Sequence, residues 1–127
     1  MESTPDPIRV LIADDHPVFG EALRAILTAD PRLEVVGVAR DGREAVHLAT
    51  TLRPDVTLMD ISMPGMDGFE ATRRVREQIP EASVLMLTGS NARTDVDRAR
   101  TSGAAGYVTK DRISADLVDT ILAVLAE

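Results

Sequence analysis

The chain has no cysteine and no tryptophan, and only one tyrosine and two phenylalanines among 127 residues. Without cysteine there are no disulfides, no thiolate metal ligands and no cysteine nucleophile, and a reducing compartment is compatible with the sequence. With so few rings, the core must be built from Val, Leu, Ile, Ala and Met. Positive charge is scarce too. Fourteen Lys and Arg against 21 Asp and Glu leave a formal net charge of −7. A basic footprint for nucleic acid is missing, so this segment is not expected to bind DNA by itself. No apolar run approaches the length that spans a bilayer. The opening "MESTPDP" lacks the basic and apolar regions of a signal peptide. Residues 1–7 read as a short disordered lead-in, and 8–127 as one domain with one core.

What is present is an alternation. Ile8 to Ala13 is a short apolar run. A helical stripe of Phe19, Ala22, Leu23, Ile26 and Leu27 follows. Pro17 suits the first helical position, and Asp30-Pro31 stops the helix. The second run is Leu33 to Val38. Asp41 and Glu44 then resemble a capping box before the stripe Ala45, Leu48, Ala49, Leu52. The third run is Asp55 to Asp60. Asp67 and Glu70 give another cap-like signal, opening a helix through about Ile79. Ser83 to Thr88 is the fourth run, and a weak helix spans about Ala92 to Ser102, with a thin apolar face of Ala92, Val96 and Ala99. Ala105 to Thr109 is the fifth run, and the last helix carries Leu117, Val118, Ile121, Leu122 and Leu125 on one face.

This is a βα unit repeated five times. The strands are continuous rather than alternating, as strands covered on both faces are. The expected fold is therefore α/β, a doubly wound parallel five-stranded sheet with helices on both faces. The second strand ends without chemistry at Gly37-Val38-Ala39, which fits an edge position and the flavodoxin-like order 2-1-3-4-5. Ligands of such sheets bind at the carboxyl ends of the strands.

Those ends carry Asp14 and Asp15, Asp60, Thr88 and Lys110. Three converging aspartates repel one another, and a hard divalent cation relieves this. Mg²⁺ takes a few carboxylate oxygens, keeps several waters and commonly works beside phosphate. A carboxylate next to a metal can act as a nucleophile on phosphorus, giving an aspartyl phosphate. The metal, Lys110 and the Thr88 hydroxyl would then stabilise charge on the phosphoryl oxygens. Gly89 would leave the approach open. Each residue also has a bland reading. Asp14-Asp15 alone is a cap beside a turn, Thr88 a β-branched strand residue, and Lys110 a solvated surface group. His16, beside the acid pair, reads as a polar residue at a helix start rather than a ligand. His47 reads as exposed.

The stretches "LIADDHPVFGEALRAIL", "DVTLMDISMPGMDGFEATRRVR", "VLMLTGS" and "GAAGYVTKD" resemble the receiver domain of two-component response regulators. The resemblance covers about Ile8 to Ala126. "DDHPVF" and "GYVTKD" are most similar to the NarL/FixJ-type transcriptional regulators. The resemblance implies a CheY-like fold with Asp60 as phosphoacceptor. It implies Mg²⁺ held by Asp14, Asp15, Asp60 and the backbone carbonyl of Ser62, and Lys110 paired with the phosphoryl oxygens. Thr88 and Tyr107 would form the switch, and Ser62 and Ser90 would tune hydrolysis. It implies a cytoplasmic location, a cognate histidine kinase as partner, a possible homodimer on phosphorylation, and no membrane contact. Such regulators usually continue into a helix-turn-helix DNA-binding domain, so the segment reads as an excised or stand-alone receiver. Self-phosphorylation and slow autodephosphorylation would be its only reactions. The family often has a cis proline after the lysine. Here Asp111 follows Lys110, which leaves the path of that loop open.

Two other functions compete. A Mg²⁺-dependent phosphohydrolase would use the same aspartyl phosphate, but it commonly needs an acid two residues beyond the nucleophile, where this chain has Ser62. A phosphorylation-independent interaction module would have no use for the complete set Asp14, Asp15, Asp60, Thr88 and Lys110.

Overall fold

The apolar runs become strands that alternate their side chains between two separate cores. In the computed structural model, which describes residues 6–89 and 93–126, β1 spans Ile8–Ala13, β2 Leu33–Ala39, β3 Val56–Asp60, β4 Val84–Thr88 and β5 Gly106–Thr109. All neighbours pair in parallel, in the order β2-β1-β3-β4-β5. The helices are α1 Pro17–Thr28, α2 Gly42–Leu52, α3 Gly68–Gln78, α4 Arg93–Thr101 and α5 Ile113–Leu125. Residues 1–5 of the expected lead-in lie outside the described residues, as do Ala92 and Glu127.

Alternation along each strand sorts the side chains. Val10, Ile12, Val56, Leu58, Leu85 and Leu87 join Leu23 and Leu27 of α1 and Leu117 and Ile121 of α5. Leu11, Met59, Val84 and Met86 join Ala45 and Ala49 of α2 and Phe69, Ala71 and Val75 of α3. A central strand thus reads as one apolar run because both of its faces are buried. Ala22 departs from the expected α1 stripe. It is exposed, while Leu23 and Leu27 are buried, so the burying face is narrower than the pattern suggests.

The caps are as the sequence implies, with one detail changed. Asp41 accepts the Glu44 N–H at 2.8 Å, but Glu44 Oε1 accepts from the N–H of Arg40, one residue before the cap. Asp67 accepts the Glu70 N–H at 2.9 Å, and the Glu70 carboxylate pairs forward with Arg73 and Arg74. The expected start of α4 at Ala92 lies outside the described residues, and among the described side chains of the helix only Ala99 is buried. Between β5 and α5 the chain makes one 3-10 turn, Lys110–Arg112, and no described peptide is cis. The Lys110–Asp111 link is therefore trans.

Candidate functional site

Strand register brings the acids together. Ala13 of β1 lies opposite Met59 of β3, so the next residues, Asp14 and Asp60, end side by side on the sheet's carboxyl rim. Both are only 2% exposed. The neighbouring end of β4 places Thr88, 3% exposed, opposite Thr109 of β5. Lys110 follows directly, and its Nζ lies 3.1 Å from Asp60 Oδ2. The same ammonium stands 4.5 Å from the centroid of the Phe19 ring on α1. It is held between an aromatic face and a carboxylate, both favourable to a cation.

The loop after Asp60 is fixed on several sides. The Ser62 N–H donates to Asp60 Oδ1 at 3.2 Å. Gly65 turns the chain at φ 77°, a left-handed conformation that suits glycine. The Gly68 N–H donates to the Ile61 carbonyl at 2.8 Å. A methyl group at Gly68 would lie 2.2 Å from the Asp60 carbonyl oxygen, and one at Gly42 would lie 2.3 Å from that of Met66. Two helix starts therefore press on the loop that carries the acid. Gly89 is different. A methyl group there would meet nothing within 4 Å among the described residues, so the space beside it is open.

The acidic cluster contains a histidine. Nδ1 of His16 lies 3.1 Å from Asp15 Oδ1, 3.3 Å from Asp14 Oδ1 and 3.7 Å from Asp60 Oδ2. Asp14 Oδ1 also accepts the His16 backbone N–H at 2.7 Å. Asp14 Oδ2 and Asp15 Oδ1 are buried and accept no hydrogen bond among the described residues. Burial raises the Asp14 carboxyl above its ordinary value of 3.8. The hydrogen bond from the His16 backbone opposes the rise, the Asp60 charge adds to it, and the Lys110 charge opposes it. Buried acceptors without donors are what a hard divalent cation satisfies, and the donor set, carboxylate oxygen apart from one imidazole, fits such an ion.

The sequence reading thus places Asp14, Asp15, Asp60, Ser62, Thr88 and Lys110 at one rim, and the structure brings them there. Tyr107 sits apart on β5 and is 39% exposed. Ser90 lies outside the described residues. His47 is exposed on α2, as expected. Four contributors have no clear sequence signal. Phe19 reads only as part of an apolar stripe, and Gly68 only as a residue after a cap. Arg98 stacks over the Phe69 ring, with Cζ 4.1 Å from its centroid, near the mouth of the site. His16 stands next to the acid pair in sequence, and that adjacency was the available signal.

A parallel 2-1-3-4-5 sheet with acids and a lysine at its carboxyl rim defines a doubly wound, flavodoxin-like protein with its site at the strand ends. The comparison with known families is specific. Residues 10–122 match the response regulator receiver domain, and the chain belongs to that family. It is 41% identical over 116 residues to the transcriptional regulatory protein LiaR of Bacillus subtilis, covering 91% of this chain and 55% of LiaR. The signal receiver domain of NarL from Mycobacterium tuberculosis superposes with a TM-score of 0.91 at 35% identity, covering 96% of this chain and 98% of that one. A CheX–CheY–BeF₃–Mg²⁺ complex from Borrelia burgdorferi includes a chain with a TM-score of 0.89 at 27% identity, covering 96% and 92%. The chain spans about half the length, or less, of the curated relatives it matches. It is a NarL-type receiver domain of a two-component response regulator.

Proposed function

We propose that Asp60 accepts a phosphoryl group from the phosphohistidine of a cognate histidine kinase, with Mg²⁺ at the acidic rim. The observation that carries this is the convergence of three carboxylates, two of their buried oxygens without donors, with Lys110 Nζ 3.1 Å from Asp60. In the transfer, the N–P bond of the donor breaks and an O–P bond forms to an Asp60 oxygen. The donor imidazole leaves with the electron pair. Asp14, Asp15, Asp60 and the Ser62 carbonyl are the residues that would hold the cation. When bound, it supplies positive charge against the phosphoryl oxygens. Lys110 would add its own positive charge from beside Asp60, and Thr88 would donate its hydroxyl.

Signalling would then follow from a change of surface. Thr88 is drawn to the phosphoryl group, Tyr107 moves inward from its exposed place, and the surface around α4 and β5 repacks. Ser62, and Ser90 by sequence position, would tune hydrolysis. The receiver unit is taken as residues 8–127, working in the cytoplasm. In a longer protein of LiaR type, the changed surface would promote dimerisation and control a DNA-binding output domain. No helix among the described residues is long and apolar enough to cross a membrane.

Intact mass measured after incubation with acetyl phosphate and Mg²⁺ tests the assignment. Wild type should gain the mass of one phosphoryl group, and Asp60→Asn should gain nothing. An equal gain in both would sink the choice of Asp60. Turnover of an external phosphoester would favour the phosphohydrolase instead.

A further inference from the structure

We infer that His16 supplies a nitrogen donor to the cation site, so that this pocket takes first-row transition ions through imidazole as well as Mg²⁺ through oxygen. The inference rests on the reading that Asp14, Asp15 and Asp60 hold a cation. In an octahedron with metal–donor distances of about 2.1 Å, adjacent donors stand roughly 3.0 Å apart and opposite ones roughly 4.2 Å. Nδ1 of His16 is 3.1, 3.3 and 3.7 Å from one oxygen each of Asp15, Asp14 and Asp60. The spacings to Asp15 and Asp14 match adjacent donors of one polyhedron, and the spacing to Asp60 falls between the adjacent and opposite values. Asp14 is 2% exposed and its Oδ2 accepts no hydrogen bond among the described residues, while the one ammonium at the rim, Lys110, is engaged with Asp60.

The imidazole is also held in place. His16 is the N-cap of α1, its N–H is tied to Asp14 Oδ1 at 2.7 Å, and Pro17 fixes the next φ. Its side chain is 59% exposed, so the ring meets solvent on one side while Nδ1 faces the carboxylates. A hard ion such as Mg²⁺ gains little from nitrogen. Mn²⁺, Co²⁺ and Ni²⁺ gain progressively more. The pocket would therefore rank these ions by their affinity for imidazole, a ranking that three carboxylates alone would make shallower.

The test uses the His47→Gln protein, in which His16 is the remaining histidine. Pulsed electron paramagnetic resonance of bound Mn²⁺ should show ¹⁴N coupling, and the further change His16→Ala should remove it. Titration calorimetry should show Ni²⁺ affinity falling about tenfold or more in His16→Ala, while Mg²⁺ affinity changes less than about twofold. Absence of ¹⁴N coupling while Mg²⁺ and Mn²⁺ still bind would overturn the inference alone. Equal losses for Ni²⁺ and Mg²⁺ would also overturn it, leaving His16 a structural cap. If no divalent ion binds even with His16 present, the reading of the acidic site fails first.

Discussion

Asp14 is the most constrained single residue at the rim. Its carboxylate is buried, one oxygen has no donor, and the Asp60 charge is close. Burial and Asp60 both penalise the ionised form, so its folded-state pKa is raised. For a carboxylate with a raised pKa, the folded state holds the proton longer than the unfolded one. That residue's contribution to stability is therefore greatest below 3.8 and falls as pH rises through the raised value. Asp14→Asn keeps an acceptor for the His16 N–H and removes the charge. Without divalent ions it should stabilise the protein by about 1 kcal/mol, roughly 3–5 °C in Tm. With Mg²⁺ it should show little of the wild-type rise in Tm. Thermal unfolding in chelator and in Mg²⁺ reads both effects. A lower Tm than wild type in chelator would mean that the Asp14 charge is compensated internally.

At the scale of elements, the positions of the acids depend on how helix starts meet strand ends. Asp60 is aimed by β3, but its carbonyl is touched by the first residue of α3. Gly68→Ala would force a methyl group to within 2.2 Å of backbone, and backbone cannot swing aside as a long side chain can. It should cost about 2–3 kcal/mol and slow phosphorylation of Asp60. Gly89→Ala is the contrast. The added methyl meets nothing within 4 Å and the backbone is not left-handed there, so stability should hold or rise by about 0.5 kcal/mol. Chemical denaturation and a phosphorylation time course on the two variants check this. Equal costs would show that the contact at Gly68 relaxes without moving β3. The turn of Lys110–Arg112 belongs to the same scale. With Asp111 in place of the frequent proline, the lysine is directed by a trans link, the Phe19 ring and Asp60 rather than by a kinked peptide.

The whole molecule is two cores divided by one sheet, and its anchoring is uneven. The α1–α5 side buries large aliphatic side chains of both helices, Leu23, Leu27, Leu117 and Ile121. On the other side α4 contributes, among the described side chains, Ala99 alone as a buried residue, with Arg98 stacked on Phe69. A helix with so little apolar burial opens at low free-energy cost. With Mg²⁺ and a phosphoryl mimic, amide exchange should change in residues 93–101 and in β5, while β1 and β3 stay protected. Identical exchange in α4 and β5 with and without the mimic would remove them from the switching surface.

Much of this is legible in the sequence, and the reason is local. Apolar runs, proline at a helix start, and Asp41 and Asp67 as caps act within a few residues, so β1 to β5 and the helices follow from patterns of short range, and the chemistry-free end of β2 points to its edge position. The acids and the lysine are legible because strand ends of a parallel sheet share one rim. Details shift where burial, not pattern, decides, as at Ala22, which is exposed inside α1, and at the C-terminal end of α4. What the sequence by itself determined is the alternating architecture and the set Asp14, Asp15, Asp60, Thr88 and Lys110. What only the tertiary structure decided is how they are held. Gly68 against Asp60, Phe19 beneath Lys110 and His16 facing three carboxylates are contacts between segments far apart in the chain or set by a turn. They depend on distances of a few ångströms, and residue spacing carries no such information.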